Sequence, residues 1–326
     1  MNWYPWLNGP YRQLVSQYQG ERGHHALLMQ AAKGMGDEAL VYGLSRWLLC
    51  QHPDGEKSCG KCHSCHLMIA GNHPDWHVLM PEKGKNSLGV EPVRQLIETL
   101  YNYSQQGGAK VVWLPQAELL TEAAANALLK TLEEPPEGTY FVLGCREPSR
   151  LLPTLRSRCF YWHLATPEAS LATQWIARQL QAEPLAIQTA LRLTEGTPLA
   201  ALELLQPERW KQREMLCQQL AASWQQRDLL SLLPQLNHDD AAERLHWLMS
   251  VLLDVVKYQQ GAGHYVINLD QQPLISLLAS AMNNAFLQQN LQGWMLCRQQ
   301  LLNVVGVNRE LLLTERLLDW ESSLQF

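Results

Sequence analysis

Four cysteines lie within sixteen residues of this 326-residue chain, and their spacing fits a metal site. They are Cys50, Cys59, Cys62 and Cys65. Two overlapping Cys-x2-Cys steps can present three sulfurs to one ion, and Cys50, at the end of a predicted helix, supplies the fourth. Because four protein ligands close a tetrahedral shell, the pattern predicts one structural zinc ion and no catalytic metal. Free thiols in a surface loop and an iron–sulfur cluster stay open as alternatives.

A second motif stands at residues 31–38, where a phosphate-binding loop would join a strand to a helix. An active loop reads Gly-x4-Gly-Lys-Ser/Thr, in which the Lys contacts the phosphates and the hydroxyl holds Mg²⁺. Gly34 and Gly36 are present here, but Asp37 and Glu38 replace the Lys and the hydroxyl. A carboxylate about 4 Å from one phosphate charge repels it by roughly 4 kcal/mol near a protein surface. We therefore expect no ATP in the usual binding mode.

The strand that would carry magnesium-binding acids shows a second loss. Residues 111–114 are followed by Pro115 and Gln116 where acids would be expected, and Glu118 stands two positions too far along. Two interpretations remain open from these residues alone. The glycines form only a turn, or the chain is an active ATPase with an atypical phosphate loop.

Strand and helix patterns alternate around these motifs. Apolar runs predict strands at 26–30, 76–80, 110–114, 139–143 and 160–164. Helical spacing predicts helices over 38–50 and 90–103, and a third that begins at an N-cap, Thr121, and stops before Pro135. Residues 50–74 suggest an irregular loop. The alternation favours an α/β fold with a parallel sheet covered by helices.

After about residue 165 the strand patterns nearly vanish and Leu and Gln dominate amphipathic stretches. We predict a first domain over 1–165 with the cysteine module at 50–65, a small helical domain over 166–207 and an all-helical domain over 208–326. Apolar residues within 245–256 and 301–318 fit helix packing, most of it inside the chain and some of it against partners.

Composition excludes several classes of protein. A hydrophobic fraction of 46% is too high for a disordered chain, and a net charge of −5 argues against a strongly basic nucleic-acid binder. The N-terminus lacks the basic and apolar regions of a secretory signal. The most apolar stretch, 247–256, is about half the ~20 residues of a membrane span. We expect a cytoplasmic protein with no membrane contact, in which the cysteines are reduced.

Three segments, in their order along the chain, resemble the AAA+ clamp-loader family of bacterial DNA polymerase III. They are 22–26, 124–136 and 155–159, the last of which contains the family's Ser-Arg-Cys motif as Ser157, Arg158 and Cys159. A zinc insertion after the first helix is also a family trait. The resemblance is closest to enterobacterial members with an inactive phosphate loop. It implies a P-loop NTPase-like AAA+ domain, a small helical lid and an all-helical collar.

The resemblance also implies a function and partners. Such a subunit is not an enzyme by itself but part of the DNA-directed DNA polymerase holoenzyme. It would assemble with gamma/tau and delta subunits, and the complex would use ATP to load the beta clamp onto primer–template DNA. Arg158 would reach the ATP site of a neighbouring gamma/tau subunit as an arginine finger, which stabilises the transferring phosphoryl group. A surface salt bridge is the plainer role for this residue.

Two further expectations concern DNA and the nucleotide sensor. Residues 83–86 carry Lys83 and Lys85 ahead of a predicted helix that contains Arg94, and such a helix start suits a phosphate backbone. A solvated loop explains these residues equally well. A zinc-dependent nucleic-acid module has little support, because few basic residues flank the cysteines. Cys145 and Arg146 stand near the position of the family's polar sensor.

Overall fold

The computed structural model describes residues 2–20, 22–82, 84–304 and 306–323. The chain divides into two compact units, with the boundary between Pro167 and Glu168. Within the described residues, no helix has the length and apolar content that a membrane-spanning segment requires.

A five-stranded parallel sheet forms the centre of the first unit. The strands are β1 (Ala26–Ala31), β2 (Trp76–Val78), β3 (Lys110–Leu114), β4 (Thr139–Cys145) and β5 (Phe160–Leu164). Their order in the sheet is β2-β3-β4-β1-β5, so the three most buried strands occupy the middle. Continuous apolar runs are expected for strands that are covered on both faces. The predicted α/β class with a parallel sheet is confirmed, and each predicted strand is present.

The described residues of the first unit also form six α-helices. They are α1 (Asn8–Gln19), α2 (Asp37–Leu48), α3 (His63–Ala70), α4 (Val90–Leu100), α5 (Glu122–Glu133) and α6 (Pro153–Arg156). The Thr121 side chain accepts a hydrogen bond from the amide of Ala124 (3.3 Å), which confirms the predicted N-cap of α5. Helices α4 and α5 bury apolar side chains against one face of the sheet, among them Leu96 and Leu128.

Helix α3 corrects one prediction, because it lies in the stretch that the sequence suggested was an irregular loop. Its eight residues are too few to show a clear apolar period. Its first turn is capped by a thiol, since Cys62 Sγ accepts a hydrogen bond from the amide of Cys65 (3.4 Å). Gly71 ends the helix in the left-handed region (φ 75°). A thiol of the cysteine motif therefore caps a helix that lies inside the predicted irregular loop.

The second unit is helical throughout its described residues. Its α-helices are α7 (Ala169–Gln179), α8 (Pro184–Leu193), α9 (Pro198–Leu204), α10 (Pro207–Gln226), α11 (Leu233–Leu236), α12 (Ala241–Gln259), α13 (Gln272–Ala281), α14 (Asn284–Asn303) and α15 (Arg309–Ser322). One continuous hydrophobic core extends from Ala172 to Trp320. Residues on both sides of position 207 share this core, so the domain boundary expected there stays a prediction.

A buried carboxylate ties a loop of this unit to α12. Asp254 is fully buried and accepts hydrogen bonds from the amides of Ile267 (2.9 Å) and Asn268 (2.7 Å). Its other oxygen lies 2.9 Å from Lys257 Nζ. The carboxylate thus accepts hydrogen bonds from two backbone amides and the Lys257 ammonium, and also from Asn268 Nδ2 (2.7 Å). A buried charge is tolerated only when it is paired in this way.

A second buried ion pair fixes the same loop to α10. Arg213 is fully buried and donates to both carboxylate oxygens of Asp270 (2.7 and 2.9 Å) and to Asn268 Oδ1 (2.7 Å). The guanidinium also lies 4.6 Å from the ring centre of Trp210. Arg213 and Asp254 therefore hold one short segment from two different helices.

We predict that Asp254→Ala lowers the free energy of unfolding by about 3–5 kcal/mol, because it leaves two backbone amides and the buried Asn268 side chain without their charged acceptor. Urea unfolding of the full chain measures the change. Asp239→Ala is the control, since this carboxylate is fully exposed and pairs with Arg309 only at the surface. Equal stabilities of the two variants would contradict the role assigned to Asp254.

Candidate functional site

The four cysteines converge in the structure. Their sulfur atoms all lie within 4.8 Å of one another. Cys50 Sγ is 4.0 Å from Cys62 Sγ, and Cys59 Sγ is 3.9 Å from Cys65 Sγ. Metal–sulfur bonds of about 2.3 Å in a tetrahedral site give sulfur–sulfur edges of about 3.8 Å. The cluster can therefore hold one metal ion, and within the described residues no histidine or carboxylate joins it.

Backbone amides already point at these sulfurs. The amide of Cys59 donates to Cys50 Sγ (3.2 Å), and the amide of Cys62 donates to Cys59 Sγ (3.3 Å). Hydrogen bonds from the amides of Lys61 and Cys62 lower the pKa of Cys59 to about 6, because they stabilise its thiolate. Burial raises the pKa of Cys65 to about 12. A bound cation would favour the thiolate at every one of the four positions.

Helices α1 and α2 hold the loop that carries the first two cysteines. Gly55 sits at the tip of a tight turn in the left-handed region (φ 55°). Its carbonyl accepts hydrogen bonds from Gln19 Nε2 (2.7 Å) and Trp47 Nε1 (3.0 Å), and the Tyr11 hydroxyl donates to the Glu56 carbonyl (2.8 Å). The ligand set is thus connected to the main body of the first unit through its backbone.

The predicted phosphate loop has the expected strand–loop–helix geometry. It leaves β1 and ends at Gly36, the N-cap of α2, and both Gly34 (φ 91°) and Gly36 (φ 77°) adopt left-handed conformations. Asp37 opens the helix and is only 5% exposed. The loop retains its backbone form although the two residues that would bind phosphate and Mg²⁺ are replaced.

An arginine from the end of β4 reaches into this loop. Arg146 Nη2 lies 3.1 Å from Asp37 Oδ2. Its Nη1 donates to the carbonyls of Ala31 (2.8 Å) and Ala32 (3.3 Å). The prediction that Asp37 faces phosphate as an uncompensated negative charge was incomplete. The charge is compensated within the protein, and the compensating cation contacts the loop itself.

The backbone of Arg146 is fixed in turn. Glu118 accepts hydrogen bonds from the amides of Arg146 and Glu147 (2.9 Å for the latter). Gln30 Nε2 donates to the Arg146 carbonyl (3.3 Å). Glu118, which stands too far along the chain to bind Mg²⁺, thus binds the backbone amides at the end of β4. No sequence signal linked Glu118 to Arg146, because the two are 28 residues apart.

Arg158 lies between α6 and β5 and forms an ion pair within its own chain. Its Nε donates to Glu133 Oε1 (2.6 Å), its Nη2 contacts the same oxygen, and its Nη1 donates to the Thr154 carbonyl (2.7 Å). The side chain is 29% exposed. Ser157 donates to the same carbonyl (3.0 Å), and burial raises the pKa of Cys159 to about 12, which leaves its thiol protonated.

The basic residues proposed for DNA contact are neutralised by neighbours. Lys85 Nζ lies 2.7 Å from Glu82, and Arg94 Nη1 lies 3.0 Å from Glu91. Both pairs are exposed, and Lys83 lies outside the described residues. The described part of this segment therefore offers balanced charge, and DNA contact stays a prediction.

We predict that the purified chain carries about one metal ion per molecule and that Cys62→Ser removes most of it, because a tetrahedral site loses a ligand. Elemental analysis measures the content, and the melting temperature of the first unit should fall with it. Cys159→Ser is the control and should keep its metal. A metal-free wild-type chain, purified without chelator, would contradict the prediction.

We also predict an energetic coupling between Arg146 and Asp37. A double-mutant cycle with Arg146→Ala and Asp37→Ala should give an interaction energy of about 0.5–3 kcal/mol, because each single change leaves a partly buried charge unpaired. Chemical unfolding of the four proteins measures it. Strict additivity would show that the contact has no energetic weight.

Three family models match consecutive parts of the chain. Their descriptions are "DNA polymerase III, delta subunit" over residues 7–168, "DNA polymerase III subunit delta', AAA+ ATPase lid domain" over 167–206, and "DNA polymerase III, delta subunit, C terminal" over 207–322. Together they span both compact units.

Full-length relatives agree with these models. A Yersinia pestis protein named DNA polymerase III subunit delta' is 64% identical over 99% of this chain and 97% of its own length. The protein of that name from Escherichia coli (strain K12) is 53% identical over 100% of this chain and 97% of its own. A tau/gamma subunit from Haemophilus influenzae is 31% identical over 52% of this chain and 24% of its own length. The resemblance to clamp-loader subunits is thus confirmed, and the chain belongs to the delta-prime family of DNA polymerase III subunits.

Proposed function

We propose that this chain is a non-catalytic subunit of a clamp loader, in which it assists the ATP-driven loading of a sliding clamp onto primed DNA. The observation that carries the proposal is the Arg146–Asp37 pair inside the phosphate loop. In this AAA+ fold the Arg146 side chain occupies the phosphate loop, where nucleotide would bind. Such a subunit is suited to act as a scaffold beside active ATPases.

Three features oppose nucleotide binding by the chain itself. The phosphates of ATP would have to separate Arg146 from Asp37 and from two backbone carbonyls. Glu38 offers no hydroxyl for Mg²⁺, and Glu118 is committed to the backbone that follows β4. Each feature argues against the alternative of an active ATPase with an atypical loop.

Arg158 is the residue that we assign to the neighbouring ATP site. A guanidinium keeps its charge at any physiological pH and can donate to two phosphate oxygens at once. Arg158 is partly exposed at the surface of the first unit, between α6 and the edge strand β5. This placement supports a role as an arginine finger that acts on a gamma/tau subunit.

Zinc is the ion that the cysteine cluster suits best. Zinc accepts four thiolates in a tetrahedron, and all four ligands here come from one short segment. An iron–sulfur cluster spreads its cysteines over several iron atoms, whereas the sulfur–sulfur distances near 4 Å match the edges around a single ion. With four protein ligands the site has no open position, so its task is structural.

The second unit supplies surface for partner subunits. Its buried core is complete, yet several large apolar side chains of α12, α14 and α15 face solvent. They are Leu253, Met295, Leu296, Leu302, Leu311 and Leu318. Exposed apolar side chains at this density on neighbouring helices are typical of association surfaces. We assign residues 208–326 to the collar that binds gamma/tau and delta subunits, and 166–207 to the lid.

The test is reconstitution with gamma/tau, delta, clamp and primed DNA. We predict that Arg158→Ala removes hydrolysis at the one ATP site that this chain serves and slows clamp loading, because the transferring phosphoryl group loses a stabilising charge. Single-turnover ATP hydrolysis and fluorescence of a labelled clamp measure the two effects. Arg156→Ala, an exposed arginine two residues earlier, is the matched control.

Two outcomes would contradict the proposal. Wild-type rates of hydrolysis and clamp loading in the Arg158→Ala complex would contradict the assignment of Arg158 as an arginine finger. Stoichiometric ATP binding by the isolated wild-type chain, measured by calorimetry with Mg²⁺ present, would favour the active-ATPase alternative.

A further inference from the structure

The guanidinium of Arg158 is held by two neighbours of different kinds. Glu133, the last residue of α5, accepts hydrogen bonds from Nε (2.6 Å) and Nη2 through a single oxygen. The Thr154 carbonyl, in α6, accepts one from Nη1 (2.7 Å). Two separate helices of the first unit, α5 and α6, thus fix the direction of one partly exposed side chain.

Counting donors shows what these contacts leave available. An arginine side chain has five N–H donors. The three contacts to Glu133 and Thr154 use one donor each on Nε, Nη1 and Nη2. One N–H therefore remains on each terminal nitrogen. The free N–H on Nη2 lies on the terminal edge of the guanidinium, because Glu133 takes the opposite, Nε-side edge, and it can donate to a phosphate oxygen.

The partial burial of the Arg158–Glu133 pair also favours an arginine that is oriented before phosphate binds. The Arg158 side chain is 29% exposed and Glu133 is 49% exposed, so the pair is neither sealed in the core nor free in solvent. An isolated arginine at a surface would sample many rotamers, and ordering it costs conformational entropy. Contacts that already hold the guanidinium reduce that cost when a phosphate arrives.

We propose that Glu133 is a positioning residue for Arg158, holding the guanidinium with N–H donors of its terminal nitrogens free for the triphosphate of the neighbouring subunit. The inference rests on the proposed arginine finger and deepens it. Glu133 itself touches neither nucleotide nor reacting atoms. Its carboxylate acts on hydrolysis only through the orientation of the arginine.

Glu134 provides a matched comparison. It follows Glu133 directly, carries the same charge and is exposed. Among the described residues it forms no ion pair. Any effect of net charge on assembly should therefore be equal for the two positions, whereas an effect on Arg158 should appear only at Glu133.

The experiment uses the reconstituted complex with Glu133→Ala, Glu133→Gln and Glu134→Ala. We expect Glu133→Ala to lower the rate constant of hydrolysis at the served site about 10- to 100-fold, because misplacement of a catalytic group has effects of this size. KM for ATP should stay unchanged, since the nucleotide is bound by the neighbour. Glu133→Gln, which keeps one oxygen acceptor, should lie between Glu133→Ala and wild type.

The double variant Glu133→Ala/Arg158→Ala separates this role from others. If Glu133 acts only through Arg158, the double variant should hydrolyse ATP no more slowly than Arg158→Ala alone. A further loss in the double variant would overturn the proposal. Size-exclusion chromatography checks assembly, and Glu133→Gln replaces Glu133→Ala if the alanine variant does not assemble.

The remaining outcomes distinguish this proposal from the finger itself. A defect in Arg158→Ala with wild-type rates in both Glu133 variants would overturn the positioning role and leave the finger intact. Faster hydrolysis in the Glu133 variants would also overturn it, because the carboxylate would then compete with phosphate for the arginine. Wild-type rates of hydrolysis in Arg158→Ala would contradict both the arginine finger and the positioning role of Glu133.

Discussion

The ion pair between Arg146 and Asp37 is the interaction on which the proposed behaviour of the first unit depends. It places a cation from the end of β4 at the start of α2, inside a loop whose glycines still have the form of a phosphate site. The Asp37 carboxylate and the carbonyls of Ala31 and Ala32 all have Arg146 as a partner within the protein. These groups therefore need no bound ligand. We infer that this loop keeps its conformation without a bound nucleotide.

The other chemical features are arranged around this fixed body. The cysteine module is attached through the backbone of its loop to α1 and α2, and α2 begins at the phosphate loop and ends next to Cys50. Arg158 directly precedes β5, an edge strand of the sheet, and its side chain is partly exposed there. In the second unit, buried charges such as Asp254 specify one arrangement of the loop between α12 and α13.

Sequence patterns predicted the strands well, because buried parallel strands are continuous apolar runs and residues such as 139–143 leave little ambiguity. They also placed the N-cap of α5, where a Thr accepts a hydrogen bond from an amide three residues later. They missed α3, because a helix of two turns capped by a metal-site thiol has no apolar period to detect. They likewise missed the contact between Arg146 and the phosphate loop, since it joins residues more than a hundred positions apart.

The sequence by itself determined which residue types were present for chemistry. It showed four clustered thiols, a phosphate loop without its lysine, and a Ser-Arg-Cys motif, since these depend on identity and local spacing. Only the tertiary structure decided what those residues touch. Asp37 is paired rather than bare, Arg158 is held by Glu133, and Glu118 binds backbone rather than standing free. Local spacing fixes which atoms can meet within one turn or loop, whereas contacts between distant segments exist only after the sheet has brought its strands together.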